Sequence, residues 1–136
     1  DRSSQRESFT LANMVPQDGE NNRHLWAGIE GAVRKLALRE GDLYVVTGPV
    51  FLGNNLQKIG NVLVPTHLYK LVYSPRQRAG AAFFVENRAT ADYEVLSVAQ
   101  LESRIGINLL PSLTAAQKDT VLRLPKVKLR KSRGEK

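Results

Sequence analysis

The stretch NVLVPTHLYKLVYS (61–74), followed by PRQRA (75–79) and GAAFFVEN (80–87), decides the fold. The two longer pieces are rich in β-branched and aromatic residues, which are typical of strands. The spacer between them is too short for a helical crossover, so an antiparallel hairpin is favoured. Pro65 is expected to break the first piece near its start, because proline cannot donate to a strand ladder.

Further elements are predicted on both sides of this hairpin. A helix over about 20–39 follows from the helical spacing of Leu25, Ile29, Val33 and Leu36, and Gly41 is placed to end it. Strands precede the late helices without regular βαβ alternation, which predicts an α+β class with a largely antiparallel central sheet flanked by helices. The remaining predicted elements are a short strand at 7–12, a loop at 13–19, a buried strand at 42–51 closed by Gly48-Pro49, a strand at 92–97, a helix at 97–106 ending at Gly106, and a weaker helix at 114–124 with Thr114 as N-cap.

Composition excludes several kinds of site. The 136 residues fit one domain, and 42% hydrophobic with 24% charged residues is normal for a globular protein. The absence of cysteine excludes disulfides, thiolate metal sites and cysteine nucleophiles. Two histidines cannot build a histidine-rich zinc site, so any metal should be a hard, oxygen-ligated ion such as Mg²⁺. No apolar run approaches the roughly 18 residues that cross a bilayer, and no membrane partner is expected.

The excess positive charge is concentrated at the C-terminal end. Of the formal net charge of +7, the segment RLPKVKLRKSRGEK (123–136) carries +6, from seven Lys/Arg and one Glu. We therefore divide the chain into a single domain over 1–124 and a basic tail over 125–136. Such a tail commonly binds nucleic acid by counterion release, although a solvated end that aids solubility is equally consistent with the composition.

A set of polar groups lies on one side of the first long helix. Asn22, Trp26, Glu30 and Arg34 are four residues apart, so they form one slowly turning stripe. An amide oxygen, a carboxylate and a guanidinium suit metal-assisted phosphodiester cleavage. The Cα atoms of Asn22 and Glu30 should be about 12 Å apart, so we expect Asn22 to ligate the ion directly and Glu30 to act through water.

Ordinary structural roles would explain the same four residues. Glu30 and Arg34 could form a simple surface pair at i,i+4, which contributes a few tenths of a kcal/mol. Asn22 could lie in the polar first turn, and Trp26 could be a core residue.

Four blocks in order resemble the DNA/RNA non-specific endonuclease family, which has the ββα-metal (His-Me finger) fold. They are LANMVPQ (11–17), the N…W…E…R stripe, YVVTGPVF (44–51) and VPTHLYK (64–70), and the likeness extends over about residues 9–110. The resemblance implies a Mg²⁺-dependent (or Mn²⁺-dependent) hydrolase that cleaves both DNA and RNA without sequence preference. The Thr47-Gly48-Pro49 and Val64-Pro65-Thr66 triplets then look like scaffold of the central sheet.

The resemblance also implies roles for individual residues. Asn22 matches the single direct protein ligand of the metal, Glu30 a contact to its water shell, and Arg34 a phosphate or transition-state contact. Asn13 matches an asparagine near the catalytic histidine, and Gln17 a positioning or substrate contact. We expect nucleic-acid binding from Arg34 and Gln17 together with four residues of the basic tail, Lys126, Lys128, Arg130 and Lys131.

One part of the family pattern is not found in this sequence. The family's Asp-Arg-Gly-His signature supplies the general-base histidine, whereas Asp1-Arg2-Ser3-Ser4 matches only its first half and stands too close to Asn13. We therefore expect the chain to begin just downstream of the signature, without the first strand or strands of the fold. Residues 1–124 would then be the C-terminal, larger part of a single nuclease domain. His24 should point about 200° away from Asn22, and His67 lies in a strand motif, so neither fits the vacancy.

These expectations define partners and alternatives. An N-terminal fragment or companion chain would supply the histidine, and the 136 residues alone should cleave very weakly or not at all. Alternatives are a catalytically inactive nucleic-acid-binding module and a protein-interaction module on a nuclease scaffold, for example the target of an inhibitor protein. A homodimer also stays open. For the setting, bacterial secretion, the periplasm or toxin delivery is favoured over mitochondria.

Overall fold

The computed structural model describes residues 22–88 and 90–129, so the predicted strand at 7–12 lies outside the described residues. No helix within these ranges is long and apolar enough to cross a membrane. The elements are α1 (Asn22–Glu40), β1 (Tyr44–Val50), β2 (Lys58–Ile59), β3 (Val62–Leu63), β4 (His67–Ser74), β5 (Ala79–Glu86), β6 (Glu94–Leu96), α2 (Val98–Ile105) and α3 (Ala115–Asp119).

The central sheet is antiparallel, with strand order β1-β4-β5-β6. The predicted hairpin is confirmed, because β4 pairs with β5 from His67↔Glu86 to Ser74↔Ala79. Pro65 lies between β3 and β4, where it interrupts the stretch as predicted, and β2 and β3 form a separate two-stranded sheet. The α+β class with a central antiparallel sheet flanked by helices is confirmed, and it is consistent with a ββα-metal nuclease domain.

Both faces of the sheet are covered, which makes a three-layer arrangement. Along β4, Leu68 and Val72 join the core under α1, whereas Tyr69 and Leu71 join the core that contains Leu101 of α2. A strand covered on both sides reads as a nearly continuous apolar run, and β4 and β5 show this pattern. The helix with the candidate site therefore packs directly on β4.

The prediction for β1 is wrong in two respects. Its ladder continues through Gly48-Pro49 to Val50, and Tyr44 and Val46 are exposed rather than buried. Within the described residues, β1 is the edge of the four-stranded sheet. An edge strand tolerates proline, since a missing N–H there leaves no neighbouring strand without a donor.

The helix predicted at 114–124 is shorter in the structure. Thr114 caps it as expected, in a capping box with Gln117, but α3 ends at Asp119. The chain then becomes extended and bridges to β5, with the N–H of Leu122 donating to the carbonyl of Gly80 at 3.0 Å. This tertiary pairing competes successfully with a weak helical preference.

Helix α2, on the sheet face opposite α1, matches its prediction closely. Ser97 caps α2 in a capping box with Gln100, and Gly106 ends it in the left-handed conformation with φ 70°. Glycine adopts this conformation without the steric cost that a Cβ atom brings.

The C-terminal end of α1 is fastened to the β4–β5 hairpin by a buried carboxylate. Glu40 accepts hydrogen bonds from Ser74 at 2.8 Å, Gln77 at 2.7 Å, Arg76 at 2.9 Å and Arg39 at 2.8 Å. The bond from Ser74, followed by those from Arg39, Gln77 and Arg76, lowers the pKa of Glu40 to about 2 despite its burial. The long helix is thereby fixed in orientation over the sheet.

Candidate active site

Glu30 lies on the border between the buried and exposed sides of α1. Its Oε1 is 3.0 Å from Nζ of Lys70, and the side chain of Lys70 is fully buried while that of Glu30 is 13% exposed. Within the described residues Oε1 makes no hydrogen bond, so the contact to Lys70 is an ion pair. One carboxylate oxygen is thus committed to a buried cation.

Lys70 occupies a position where the strand pattern requires an apolar residue. It lies between Leu68 and Val72 on the α1 face of β4. Its Nζ donates to Oγ1 of Thr47 at 2.9 Å and lies 5.1 Å from the centre of the Trp26 ring, a cation–π distance. Burial lowers the pKa of Lys70 below its ordinary value, and the charge of Glu30 opposes this shift.

Sequence reasoning missed Lys70. The available signal was a single lysine inside a strand that is otherwise apolar on both faces. A buried ammonium is costly unless a carboxylate or another acceptor compensates it, so such a lysine implies a partner.

The residues of the predicted polar stripe on α1 differ in burial. Trp26 is 5% exposed and belongs to the core, as the structural alternative proposed, whereas Arg34 is exposed. The simple surface pair of Glu30 with Arg34 is not formed, because Glu30 is paired with Lys70. Within the described residues, the exposed guanidinium of Arg34 thus lies one turn from Glu30 without a carboxylate partner.

Arg34 lines a groove of about 280 Å³ on the outer side of α1. Lys35, Lys126 and Lys128 line the same groove, and its floor is formed by small residues of the helix. We call this site the basic groove. The structure thus brings together three of the residues predicted to bind nucleic acid: Arg34, Lys126 and Lys128.

Several predicted residues cannot be placed. Asn13, Gln17, Arg130 and Lys131 lie outside the described residues, and of Asn22 only the backbone is described, as the first residue of α1. Their roles stay predictions.

Neither histidine lies beside Glu30 and Arg34. His24 is exposed on α1, about 120° around the helix axis from Glu30 and almost two turns along it. His67 contacts Thr66 Oγ1 through Nδ1 at 2.8 Å and stacks on Phe84 at 4.9 Å, and Phe84 belongs to the core on the sheet face opposite α1. Burial lowers the pKa of His67 below its usual value, and the charge of Glu86 opposes this.

The donor chemistry fits a largely hydrated ion. The described residues contain no group of three or more His, Cys, Asp or Glu side chains able to hold a metal. Mg²⁺ keeps several of its waters and needs only one or two protein oxygens. Because Oε1 of Glu30 is paired with Lys70, this carboxylate fits the orientation of metal-bound water better than direct ligation.

Comparison with known proteins gives relatives that are nucleases by name. Nuclease C1 of Cunninghamella echinulata var. echinulata is 42% identical, with 61% of this chain and 38% of the relative covered. The human mitochondrial nuclease EXOG is 35% identical, with 79% and 35% covered. The mitochondrial nuclease of Saccharomyces cerevisiae is 31% identical, with 82% and 42% covered. The chain thus spans only about two fifths or less of the length of these relatives. No solved structure matches the chain.

The expectation of a bacterial secreted, periplasmic or toxin setting is wrong. Many of the relatives carry mitochondrial names, among them EXOG of human, mouse and zebrafish and the nuclease of fission yeast. These relatives point toward mitochondria. The error arose because motifs shared by the whole family do not distinguish its cellular settings.

The family itself is shown by a match over most of the sequence. The model of the DNA/RNA non-specific endonuclease family matches residues 1–116, which include α1, the whole four-stranded sheet and α2. The resemblance predicted from four short blocks is therefore confirmed, and the chain belongs to the DNA/RNA non-specific endonuclease family.

Proposed function

We propose that this chain forms the metal- and phosphate-binding part of a Mg²⁺-dependent nuclease that hydrolyses phosphodiester bonds of both DNA and RNA, with Mn²⁺ able to replace Mg²⁺. The observation that carries the proposal is the pairing of Glu30 with the buried Lys70, one helical turn from the exposed Arg34. A carboxylate held by a buried cation on the border of a helix, next to an exposed guanidinium, is unusual for a packing role alone.

Each side chain has a distinct task in this proposal. The amide oxygen of Asn22 is the direct protein ligand, and Glu30, held by Lys70, orients metal-bound water. Arg34 binds a non-bridging phosphate oxygen and stabilises the negative charge that grows during attack. When bound, Mg²⁺ supplies Lewis-acid stabilisation of the phosphate and of the leaving oxygen. Asn13 and Gln17 retain the positioning roles implied by the family.

The general base is assigned to a histidine from outside these 136 residues. The two histidines of the sequence are His24 and His67, and neither lies beside Glu30 and Arg34. A companion segment or chain that carries the histidine completes the site. Without it, the metal and phosphate ligands bind substrate, but neither His24 nor His67 is placed to remove the proton from water.

The cationic side chains of the site explain why cleavage would show no sequence preference. Guanidinium and ammonium groups that contact phosphates bind atoms common to every nucleotide, so these contacts carry no sequence information. The names of the relatives, which are nucleases, agree with this substrate class.

The test is cleavage of plasmid DNA and of RNA by the native protein that contains these residues, in Mg²⁺ and in EDTA. Asn22→Ala is expected to lose at least about 10²-fold in rate and to change the Mg²⁺ dependence, because it removes the direct ligand. Asn54→Ala, in an exposed loop, is the matched control and should cleave like the parent. Unchanged rate and Mg²⁺ dependence in Asn22→Ala would remove Asn22 from the site. Tight binding of DNA without any cleavage would favour the inactive-module alternative.

A further inference from the structure

The segment that follows α3 is held against the domain by bonds to β5, to α1 and to the loop that precedes β6. Leu122 is bonded to Gly80 of β5, and the guanidinium of Arg39 on α1 donates to the carbonyl of Arg123 at 2.7 Å. The N–H of Val127 donates to the hydroxyl of Tyr93 at 3.3 Å. Residues 122–128, which include the first part of the basic tail, are thus fixed along α1, and we call them the strip.

The strip approaches α1 closely at Gly28. A Cβ atom on this residue would lie 2.7 Å from Cγ1 of Val127 and 2.8 Å from the carbonyl oxygen of Lys128. The second contact is to backbone, which cannot rotate away as a flexible side chain can. Val127 packs against the core, while Lys126 and Lys128 on either side of it are exposed. Contact at Gly28 therefore fixes where the two lysines stand.

The result is a concave site with four cations and no matching acid. Arg34 and Lys35 line it from the helix, and Lys126 and Lys128 line it from the strip. Within the described part of the chain, none of the four forms an ion pair with a carboxylate. A concave surface of one charge sign concentrates the potential and attracts the opposite charge.

We propose that the basic groove binds backbone phosphates of a nucleic-acid strand outside the cleavage site. The proposal rests on the substrate class of the proposed function. Gly28 is two residues from Glu30, so the strip crosses α1 about 160° around the axis from the cleavage site, whereas Arg34 is only about 40° from Glu30. Arg34 therefore connects the two sites, and a strand cut beside Glu30 continues over the outer side of α1 to Lys126 and Lys128.

The floor of the groove favours phosphate over a bulkier ligand. Ala27, Gly28, Gly31 and Ala32 leave no large side chain between the two rows of cations. A phosphodiester can thus contact both rows at once, and this binding adds affinity without base preference.

The experiment measures binding of the 136-residue chain to a 20-base-pair DNA duplex in EDTA, where cleavage does not interfere. Fluorescence anisotropy between 50 and 200 mM KCl gives the slope of log K against log[salt]. Each lost phosphate contact on duplex DNA should reduce this slope by about 0.9. Lys126→Ala/Lys128→Ala is expected to reduce it by about 1.8, whereas Lys58→Ala, in the small β2–β3 sheet, should leave it unchanged.

A second pair of variants on α1 separates the position of the strip from its charge. Gly28→Ala retains every cation but forces the strip away from α1, so its slope should also decrease. Leu38→Ala, at a strongly exposed position of the same helix that does not line the groove, should bind like the parent. Circular dichroism of all variants checks that they are folded.

Two results would overturn the proposal. They are a parental salt slope in the double lysine variant, and equal slopes in folded Gly28→Ala and Leu38→Ala. Cleavage by the native protein is measured separately. If the salt slopes of the variants are unchanged but the native protein cleaves, the proposal for the basic groove is refuted and the proposed function is not. A reduced slope in the variants together with a native protein that never cleaves supports the groove and refutes the proposed function.

Discussion

Lys70 Nζ lies 3.0 Å from Glu30 Oε1, which joins the middle of a buried strand to the flank of the helix above it. The two residues carry opposite charges in an otherwise apolar layer. Each therefore depends on the other, and removal of one partner leaves an uncompensated charge.

We predict that Lys70→Met lowers the free energy of unfolding by about 3–5 kcal/mol, because it leaves the Glu30 carboxylate without its cation. Urea denaturation measures the change. The double variant Lys70→Met/Glu30→Gln should regain part of the loss, since it removes the orphaned charge as well. Lys58→Met, at an exposed lysine, is the control and should change stability by about 0.5 kcal/mol or less. A single variant as stable as the parent would mean that the pair contributes nothing.

Glu40 should make stability depend on acidity. Its pKa in the folded chain is about 2, below the 4.5 of the free group, so its contribution is fully present above about pH 4.5 and is lost as the pH falls from 4.5 toward 2. Urea denaturation between pH 6 and 2.5 should show Glu40→Gln as less stable than the parent at pH 6, with the difference shrinking in acid. Glu94→Gln, which removes one partner of the exposed pair with Arg104, is the control, and its effect should be small. A constant difference at every pH would contradict the assignment.

Arg34 should act on the transition state. In the native protein we expect Arg34→Ala to lower kcat by about 10²- to 10³-fold, the usual effect of losing one charge-stabilising donor. Lys35→Ala, its neighbour in the basic groove, should raise KM with kcat unchanged, because it contributes to binding alone. Steady-state cleavage of a labelled oligonucleotide separates the two parameters. Equal effects of both variants on kcat would show that Arg34 has no special role.

Neither histidine should be needed for cleavage. Loss of a general base costs typically 10²- to 10⁴-fold, whereas His24→Ala and His67→Ala in the native protein should each stay within about twofold of the parent. Rates are compared per folded protein, since His67 also stacks on Phe84. A large loss in either variant would identify the base within these residues.

The 136 residues alone should cleave plasmid DNA very weakly or not at all in Mg²⁺. The reason is the same one, that no histidine lies beside Glu30 and Arg34. An agarose-gel time course with the purified chain and with the native protein gives the comparison. Rapid degradation by the chain alone would refute a base supplied from elsewhere.

Features set by local sequence could be predicted, and features set by distant contacts could not. The β4–β5 hairpin, the caps at Ser97 and Gly106 and the end of α1 depend on neighbouring residues, and each was predicted. The pairing of Lys70 with Glu30 joins residues forty positions apart. The spacing of apolar residues along the sequence predicts local elements and cannot predict such a distant contact. The same holds for the edge position of β1 and for the early end of α3, where pairing with Gly80 competes with the helix. In the site, residue types and helix spacing identified Glu30 and Arg34, but not the cation beneath Glu30.

Because Glu40 is bonded to the hairpin, α1 is held at its C-terminal end. A change in the tilt of the helix therefore displaces its N-terminal end most. Asn22 is 18 residues away, about 27 Å along the axis, and Glu30 is about 15 Å away. A tilt of about two degrees at Glu40 moves the start of the helix by about 1 Å and Glu30 by about half as much. Displacements of this size cost about 10²-fold in rate at an active site. Substitutions at Ser74 or Gln77, which lie far from Glu30, should thus lower the cleavage rate before they unfold the domain.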